Sequence, residues 1–220
     1  MLTVGIVLSG CGVYDGSEIH EAVCTMLALS QAGVEYQCLA PNTPQAHVVD
    51  HVKGKPAPGE TRNVLVESAR IARGKIKPLN EVRGSDYDAF FFPGGFGAAK
   101  NLCTFAVEGP NCGVQPDVAR VVREAYAAKK PLCFICIAPV IGAKVLGKTT
   151  GVKLTIGDDA ETAGAIRTMG ATHIVCPVTE AAVDTTHKIV STPAYMKAGN
   201  ISEVFQGVNR AVTETLKLIG

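Results

Sequence analysis

The sequence predicts an α/β fold: a mostly parallel sheet with helices on both faces. Three observations predict it. Short apolar runs of strand length alternate with segments of helical period along most of the chain. Three of those runs, LTVGIVLSG, YDAFFF and KPLCFI, lead directly into Gly, Pro or Cys, where parallel sheets build their sites. The 220 residues, 47% hydrophobic and 19% charged, suffice for one sizeable core and are too apolar for a disordered chain. No repeat, linker or low-complexity tract interrupts them, so a single domain over 1–220 is expected.

The first strand is expected at about Thr3 to Ser9. SGCGVYDGS follows as a tight loop, and a helix from Ser17 to Ala32 stops at Gly33, a normal C-terminal signal. Asp15 or Ser17 is placed to cap that helix, with Ile19, Val23, Met26, Leu27 and Ser30 as its inward stripe. VEYQCLA, from Val34, is the second strand. PNTPQAHVVDHVKGKPAPGE reads as a long excursion broken by Pro and Gly. Arg62 to Ala72 is helical and KIKPL a short strand. YDAFFF is a buried strand ending in Pro93-Gly94-Gly95. Val114 to Lys129 is helical, and KPLCFI is a strand that turns at Cys136 into the next helix. VKLTI, HIVCPV, AAVD and HKIVSTPAY read as short strands, Asp159 to Met169 as a helix, and Asn200 to Ile219 as a closing helix.

Composition narrows the function classes. The net charge is +1 with acids and bases interspersed, so no basic patch points to nucleic acid. The longest apolar runs fall short of a membrane span. Met1 leads straight into a strand-like segment without a leader pattern, so a cytoplasmic location is expected, or a mitochondrial one if a presequence has been removed. Eight cysteines are present, but Cys24, Cys38, Cys133 and Cys176 lie in apolar stretches, where free Cys behaves as a buried hydrophobe; reduced thiols are expected.

Cys136 is the leading candidate for chemistry. It follows a strand and precedes Ile137, Ala138 and Pro139, and Pro suits the first turn of a helix. Backbone N–H groups and the helix dipole there favour a thiolate, the form that adds to a carbonyl. Gly94 and Gly95 let the backbone approach a ligand closely, and their N–H groups are suited to an oxyanion.

Together the strand into Pro93 to Gly95, the following Gly97 to Leu102 segment with Asn101, and the C-x-x-P of Cys136 to Pro139 resemble the ThiJ/PfpI superfamily, which is related to class I glutamine amidotransferases. SGCGVYDGSEIHEA, ETRNVL-ESARIARG, PGGFGAAKNL and CIAP resemble its ElbB-type, glyoxalase-like group, which has mitochondrial relatives in animals. The resemblance implies a flavodoxin-like three-layer sandwich, often dimeric, so a homodimer is expected. It implies Cys136 as nucleophile, oxyanion donors on the N–H of Gly95 and Ile137, and Glu21 as the carboxyl sharing a proton with Cys136. It further implies a lyase of glyoxalase type that converts glyoxal or methylglyoxal, small dicarbonyls, to a hydroxy acid without glutathione or any cofactor. Gly94, Cys11, Asp15, Glu18 and Asn101 are the expected pocket residues.

Two departures from the superfamily qualify this reading. Gly157 occupies the place where many members carry a histidine, which leaves His20 and His173 as candidate proton shuttles. Phe134 and Ala138 replace the glycines of a G-x-C-x-G, which argues against glutamine hydrolysis. The rival functions are a redox-sensing or partner-binding protein, since a low-pKa thiolate oxidises first, and a cysteine hydrolase of deglycase or amidase type. A Cys133/Cys136 dithiol is disfavoured because Cys133 belongs inside the strand. His47 and His51, four apart beside Asp50, lack an H-E-x-x-H context, so no metal is expected. Arg62 and Asn63 either reach the pocket rim or, with Glu60, cap and solvate their own helix.

Overall fold

The computed structural model describes residues 2–220. Its elements run β1 (Thr3–Val7), α1 (Ile19–Gln31), β2 (Glu35–Ala40), β3 (Val49–Asp50), β4 (Lys55–Pro56), α2 (Val64–Ile71) and β5 (Ile76–Pro78). Then come β6 (Phe90–Phe92), α3 (Phe96–Lys100), α4 (Phe105–Glu108), α5 (Pro116–Ala127), β7 (Leu132–Ile135), α6 (Pro139–Thr150) and β8 (Lys153–Leu154). The chain ends with α7 (Ala160–Thr168), β9 (Thr172–His173), β10 (Ala182–Asp184), β11 (Ile189–Thr192) and α8 (Ile201–Lys217). Seven strands form one sheet in the order β10-β11-β7-β6-β1-β2-β5, parallel except for the edge strand β10. The excursion carries the β3–β4 hairpin, and β8 pairs only with β9 outside the main sheet. No helix among the described residues is long and apolar enough to cross a membrane.

Strand alternation divides the core into two layers. Phe90, Phe92, Leu132 and Phe134 face α5, α6 and α7, and the Phe92 and Phe134 rings stack at 5.0 Å. Phe91, Cys133 and Ile135 face α1 and α8. From β1 the chain winds outward through β2 to β5, then returns to the other side of β1 for β6 and β7. That reversal opens a crevice at the carboxyl ends of β1, β6 and β7.

Several local expectations are corrected. Ile19, Val23 and Leu27 of α1 are exposed, while Glu21, Ala22, Cys24, Thr25, Ala28 and Leu29 face inward. Small Ala and Thr side chains let α1 lie close against the sheet and α8, and this rotation buries Glu21. The cap of α1 is Glu18, whose Oε2 accepts the Glu21 N–H at 2.8 Å. Ser17 Oγ is taken by the Ser9 N–H (2.8 Å) and Asp15 Oδ2 by the Val49 N–H (2.7 Å), so neither is free to cap. The fifth helix starts at Pro116 rather than Val114, because Val114 pairs antiparallel with Cys103. Of HIVCPV only His173 is strand, as the last residue of β9, and Val175 is exposed.

Candidate active site

Cys136 sits at the end of β7 with φ 62°, in the left-handed region that non-glycine residues rarely occupy. Such a backbone costs about 1–3 kcal/mol and persists where its surroundings fix it. Here the Cys136 N–H donates to the Thr192 carbonyl (2.9 Å) and α6 begins three residues later at Pro139. The turn throws the side chain across the mouth of the sheet toward β6 and α1. Gly94 makes room for it: a Cβ there would lie 2.5 Å from Cys136 Cβ and 2.7 Å from Glu21 Oε2. Gly95, with φ 90°, packs so closely on the loop before α1 that a Cβ would lie 2.3 Å from the Glu18 nitrogen. The N–H groups of Gly95 and Ile137 both hydrogen-bond the Cys136 sulfur.

Glu21 is fully buried against this sulfur. Its Oε2 accepts the Gly94 N–H (2.9 Å), its Oε1 accepts the Tyr195 N–H (3.1 Å), and the carboxyl also hydrogen-bonds Cys136. Burial, then the nearby Glu18 charge, pushes the Glu21 carboxyl up to about 8. Burial, then the Glu21 charge, holds the Cys136 thiol well above its ordinary range. A thiolate favoured by the helix terminus alone, as the sequence suggested, is therefore corrected: desolvation outweighs the backbone donors. The two groups titrate as a pair. While Glu21 keeps a proton its charge no longer opposes ionisation of Cys136, and the donors of Gly95 and Ile137 pull the other way.

The sulfur lies at the wall of a pocket of about 480 Å³. Val13, Phe96, Phe105, Ile137 and Met196 give it an apolar lining; Glu18, Asp159, Thr162 and Tyr195 supply the polar groups. No Lys or Arg lines it. A larger concavity of about 680 Å³, between α1, β2 and the end of α2, is remote from Cys136 and is not the centre of this chemistry. Of the expected pocket residues, Gly94 and Glu18 stand at the site. Cys11, Asp15 and Asn101 do not line the pocket. Asn101 binds loops together, donating to the Ser9 (2.8 Å) and Asp15 (2.9 Å) carbonyls and accepting the Ala46 N–H. Asp15 holds the excursion, and Cys11 faces Glu67 and Arg70. His173 also falls outside the pocket, with its ring near the Ile156 N–H and its pKa lowered by burial. His20 stands at the rim, its Nδ1 2.8 Å from the Tyr195 hydroxyl.

The remaining candidates have structural work. Cys133 is buried in β7, its thiol pushed up to about 12 by burial. Asn63 caps α2 by accepting the Val66 N–H, and Arg62 pairs with Glu60 and Glu67. His47 meets Lys100, His51 accepts the Tyr14 N–H, and no group of three metal-ligating side chains occurs among the described residues. Tyr195, Asp159, Thr162, Phe96 and Phe105 were missed by sequence reasoning. They come from four separate segments that only the fold brings together, and no local motif marks them.

Comparison with known proteins decides the family. The chain is 50% identical over 226 residues to the rat mitochondrial ES1 protein homolog and to the human mitochondrial glutamine amidotransferase-like class 1 domain-containing protein 3. The alignments cover 99% of this chain and 84% and 83% of those proteins. The chain belongs to the ES1 family. No protein-family model matches it. The crystal structure of an Ehrlichia chaffeensis isoprenoid biosynthesis protein with an amidotransferase-like domain superposes with a TM-score of 0.93 at 38% identity, covering all of both chains. Glyoxalase III from Candida albicans superposes with a TM-score of 0.64 at 16% identity over 100% and 98% of the chains, and a ThiJ/PfpI domain protein from Brachyspira murdochii with a TM-score of 0.58 at 12% identity over 98% and 96%, so the chain shares their α/β fold. These animal ES1 relatives carry mitochondrial names, so the cytoplasmic expectation finds no support in them.

Proposed function

We propose that this protein is a glutathione-independent, glyoxalase-like enzyme acting on small uncharged dicarbonyls. The observation that carries the reading is the Cys136 sulfur held between the Glu21 carboxyl and the N–H groups of Gly95 and Ile137, beside a largely apolar pocket. In this scheme the thiolate adds to one aldehyde carbon of glyoxal, forming the C–S bond, and the oxygen charge is taken by the two backbone donors. Glu21 gives its proton to that oxygen. The resulting carboxylate removes the hydrogen from the same carbon to give an enediol and returns it to the second carbon, while the proton on the first oxygen passes to the second oxygen, leaving a thioester on Cys136. Water then hydrolyses the thioester, releasing the hydroxy acid and restoring the thiol. The pocket's carboxylates and lack of cations suit a neutral substrate and oppose an anionic one.

The test is turnover of glyoxal and methylglyoxal without glutathione, read as glycolate and lactate, in the wild type and in Cys136→Ala. Loss of turnover with an unchanged fold supports the reading; retained turnover overturns it. Hydrolase activity is separated by offering a purified, pre-formed adduct free of dicarbonyl: release there, with no glyoxal turnover, would favour a deglycase or amidase. The mitochondrial alternative for location is kept as part of this proposal, on the names of the ES1 relatives.

A further inference from the structure

A second pair of sulfurs lies on the far lip of the pocket, outside the machinery described above. After α3 the chain forms a narrow ribbon. Cys103 bridges antiparallel to Val114, the Thr104 N–H donates to the Gly113 carbonyl (3.0 Å), and the Gln115 N–H donates to the Leu102 carbonyl (2.9 Å). Cys112 stands on the returning strand two residues before Val114, so the register sets it diagonally across from Cys103 on the same face, close enough for each thiol to shift the other; the Cys103 thiol itself donates to the Ala98 carbonyl (3.2 Å). Both sulfurs are buried in the same core layer. The loop between them, α4 and the turn at Gly109–Asn111, buries none of its own residues, and Val107 is almost fully exposed. Phe105 and the Lys144–Pro110 hydrogen bond are its main ties to the body, so it opens locally at lower cost than the sheet, giving a small oxidant a route to the sulfurs.

We propose that Cys103 and Cys112 form a redox-active dithiol, closed to an intrachain disulfide by hydrogen peroxide, and that this closure pins the loop carrying Phe105 and Ala106 of the Cys136 pocket.

The chemistry has a defined order. Cys112 is the attacking sulfur: its thiol is lowered to about 7, first by the neighbouring Cys103 and also by the Lys144 ammonium, which is anchored on the Pro110 carbonyl at 3.0 Å. The neighbouring Cys112 sulfur, then burial, holds the proton on Cys103. The Cys112 thiolate attacks one peroxide oxygen; an S–O bond forms, the O–O bond breaks, and hydroxide leaves to take up a proton. Cys103 then attacks the sulfenic sulfur; the S–S bond forms, the S–O bond breaks, and the second water leaves with the Cys103 proton. Two thiols lose two electrons and two protons, and one peroxide becomes two waters. Because Phe105 and Ala106 line the pocket, the oxidised form presents a fixed lip to whatever Cys136 binds.

The test is direct, because both cysteines fall in one tryptic peptide, residues 101–120, bounded by Lys100 and Arg120. The reduced protein is exposed to hydrogen peroxide, denatured, alkylated and digested. The expected peptide is two hydrogens lighter and takes up alkylating agent on neither cysteine; dithiothreitol restores both sites. In Cys103→Ser, dimedone should trap a sulfenic acid on Cys112, whereas Cys112→Ser should leave Cys103 unlabelled. Amide hydrogen exchange over 104–111 should slow at least tenfold in the oxidised wild type. Repeating the oxidation in Cys136→Ser keeps the result independent of the proposed enzyme activity. Full alkylation of both cysteines at peroxide levels that oxidise Cys136, or dimedone capture on Cys103 in place of Cys112, would overturn the proposal.

Discussion

Cys136 and Cys112 are both buried cysteines, yet their surroundings drive their protons in opposite directions. Cys136 faces a carboxyl, and each negative charge in that pair resists the other. Cys112 faces a neutral thiol and an ammonium nearby, and it falls to about 7 in spite of burial. Of the eight cysteines, its surroundings alone favour the thiolate; the other seven are pushed up. Burial by itself therefore does not set thiol character; the charge and proton state of the neighbouring groups decide it. At Cys136 this arrangement suits one proton moving inside a closed pair. At Cys112 it suits direct attack on an oxidant.

The largest expected break in that contrast is Cys136→Ala: dicarbonyl turnover should fall on the order of 10³-fold or more, while Cys103–Cys112 oxidation is untouched. Glu21→Gln comes next and sharpens it. Above about pH 8, where the wild-type carboxyl is ionised, Gln removes a charge that opposes the Cys136 thiolate, so alkylation of the variant should outpace the wild type there and differ little at pH 7. Turnover should nevertheless drop about 10²-fold, because the proton carrier is gone. A variant that alkylates faster and also turns over faster would refute the shared-proton account. Gly94→Ala should follow: its Cβ would press on both Cys136 and Glu21, costing about 1–3 kcal/mol in denaturant unfolding and disturbing the pair.

A smaller effect concerns stability against pH. Glu21 binds its proton up to about pH 8 in the folded state, against an ordinary value of 4.5. Between those values the folded chain holds more protons than the unfolded one, so wild-type stability declines as pH rises through that window. Glu21→Gln lacks this titration, so its stability relative to the wild type should improve steadily from about pH 5 to 8 in urea melts. A flat difference across that range would mean that Glu21 is ionised throughout. The smallest effect is expected from His20→Ala, which removes the exposed partner of the Tyr195 hydroxyl: a change in turnover below about fivefold would keep His20 outside the proton path, whereas a loss near 10²-fold would make it a shuttle.

The local chemistry was legible wherever short-range sterics write it. The strand running into PGG and the strand-to-helix turn at C-I-A-P need Gly and Pro at fixed offsets, so Cys136, Gly94 and Gly95 can be read directly. The inward face of α1 could not, because periodicity marks an apolar stripe at Ile19, Val23 and Leu27 without saying whether the core takes it. The fold turned that stripe outward to bury a carboxyl. Asp15 and Asn101 were likewise drawn to the pocket by their place in motifs, although backbone N–H and carbonyl groups of neighbouring loops claim their polar atoms.

What the sequence determined by itself is the layered α/β architecture, the order of its main elements and the position of the sulfur at a sharp turn. These follow from alternation, turn chemistry and local backbone preference. What only the tertiary structure decided is the charge state around each sulfur and the company it keeps: Glu21 rotated inward, Tyr195 and Asp159 brought from distant segments, and Cys103 laid against Cys112. Electrostatic neighbours act across space, and at buried sites a few ångströms of separation outweigh any distance along the chain.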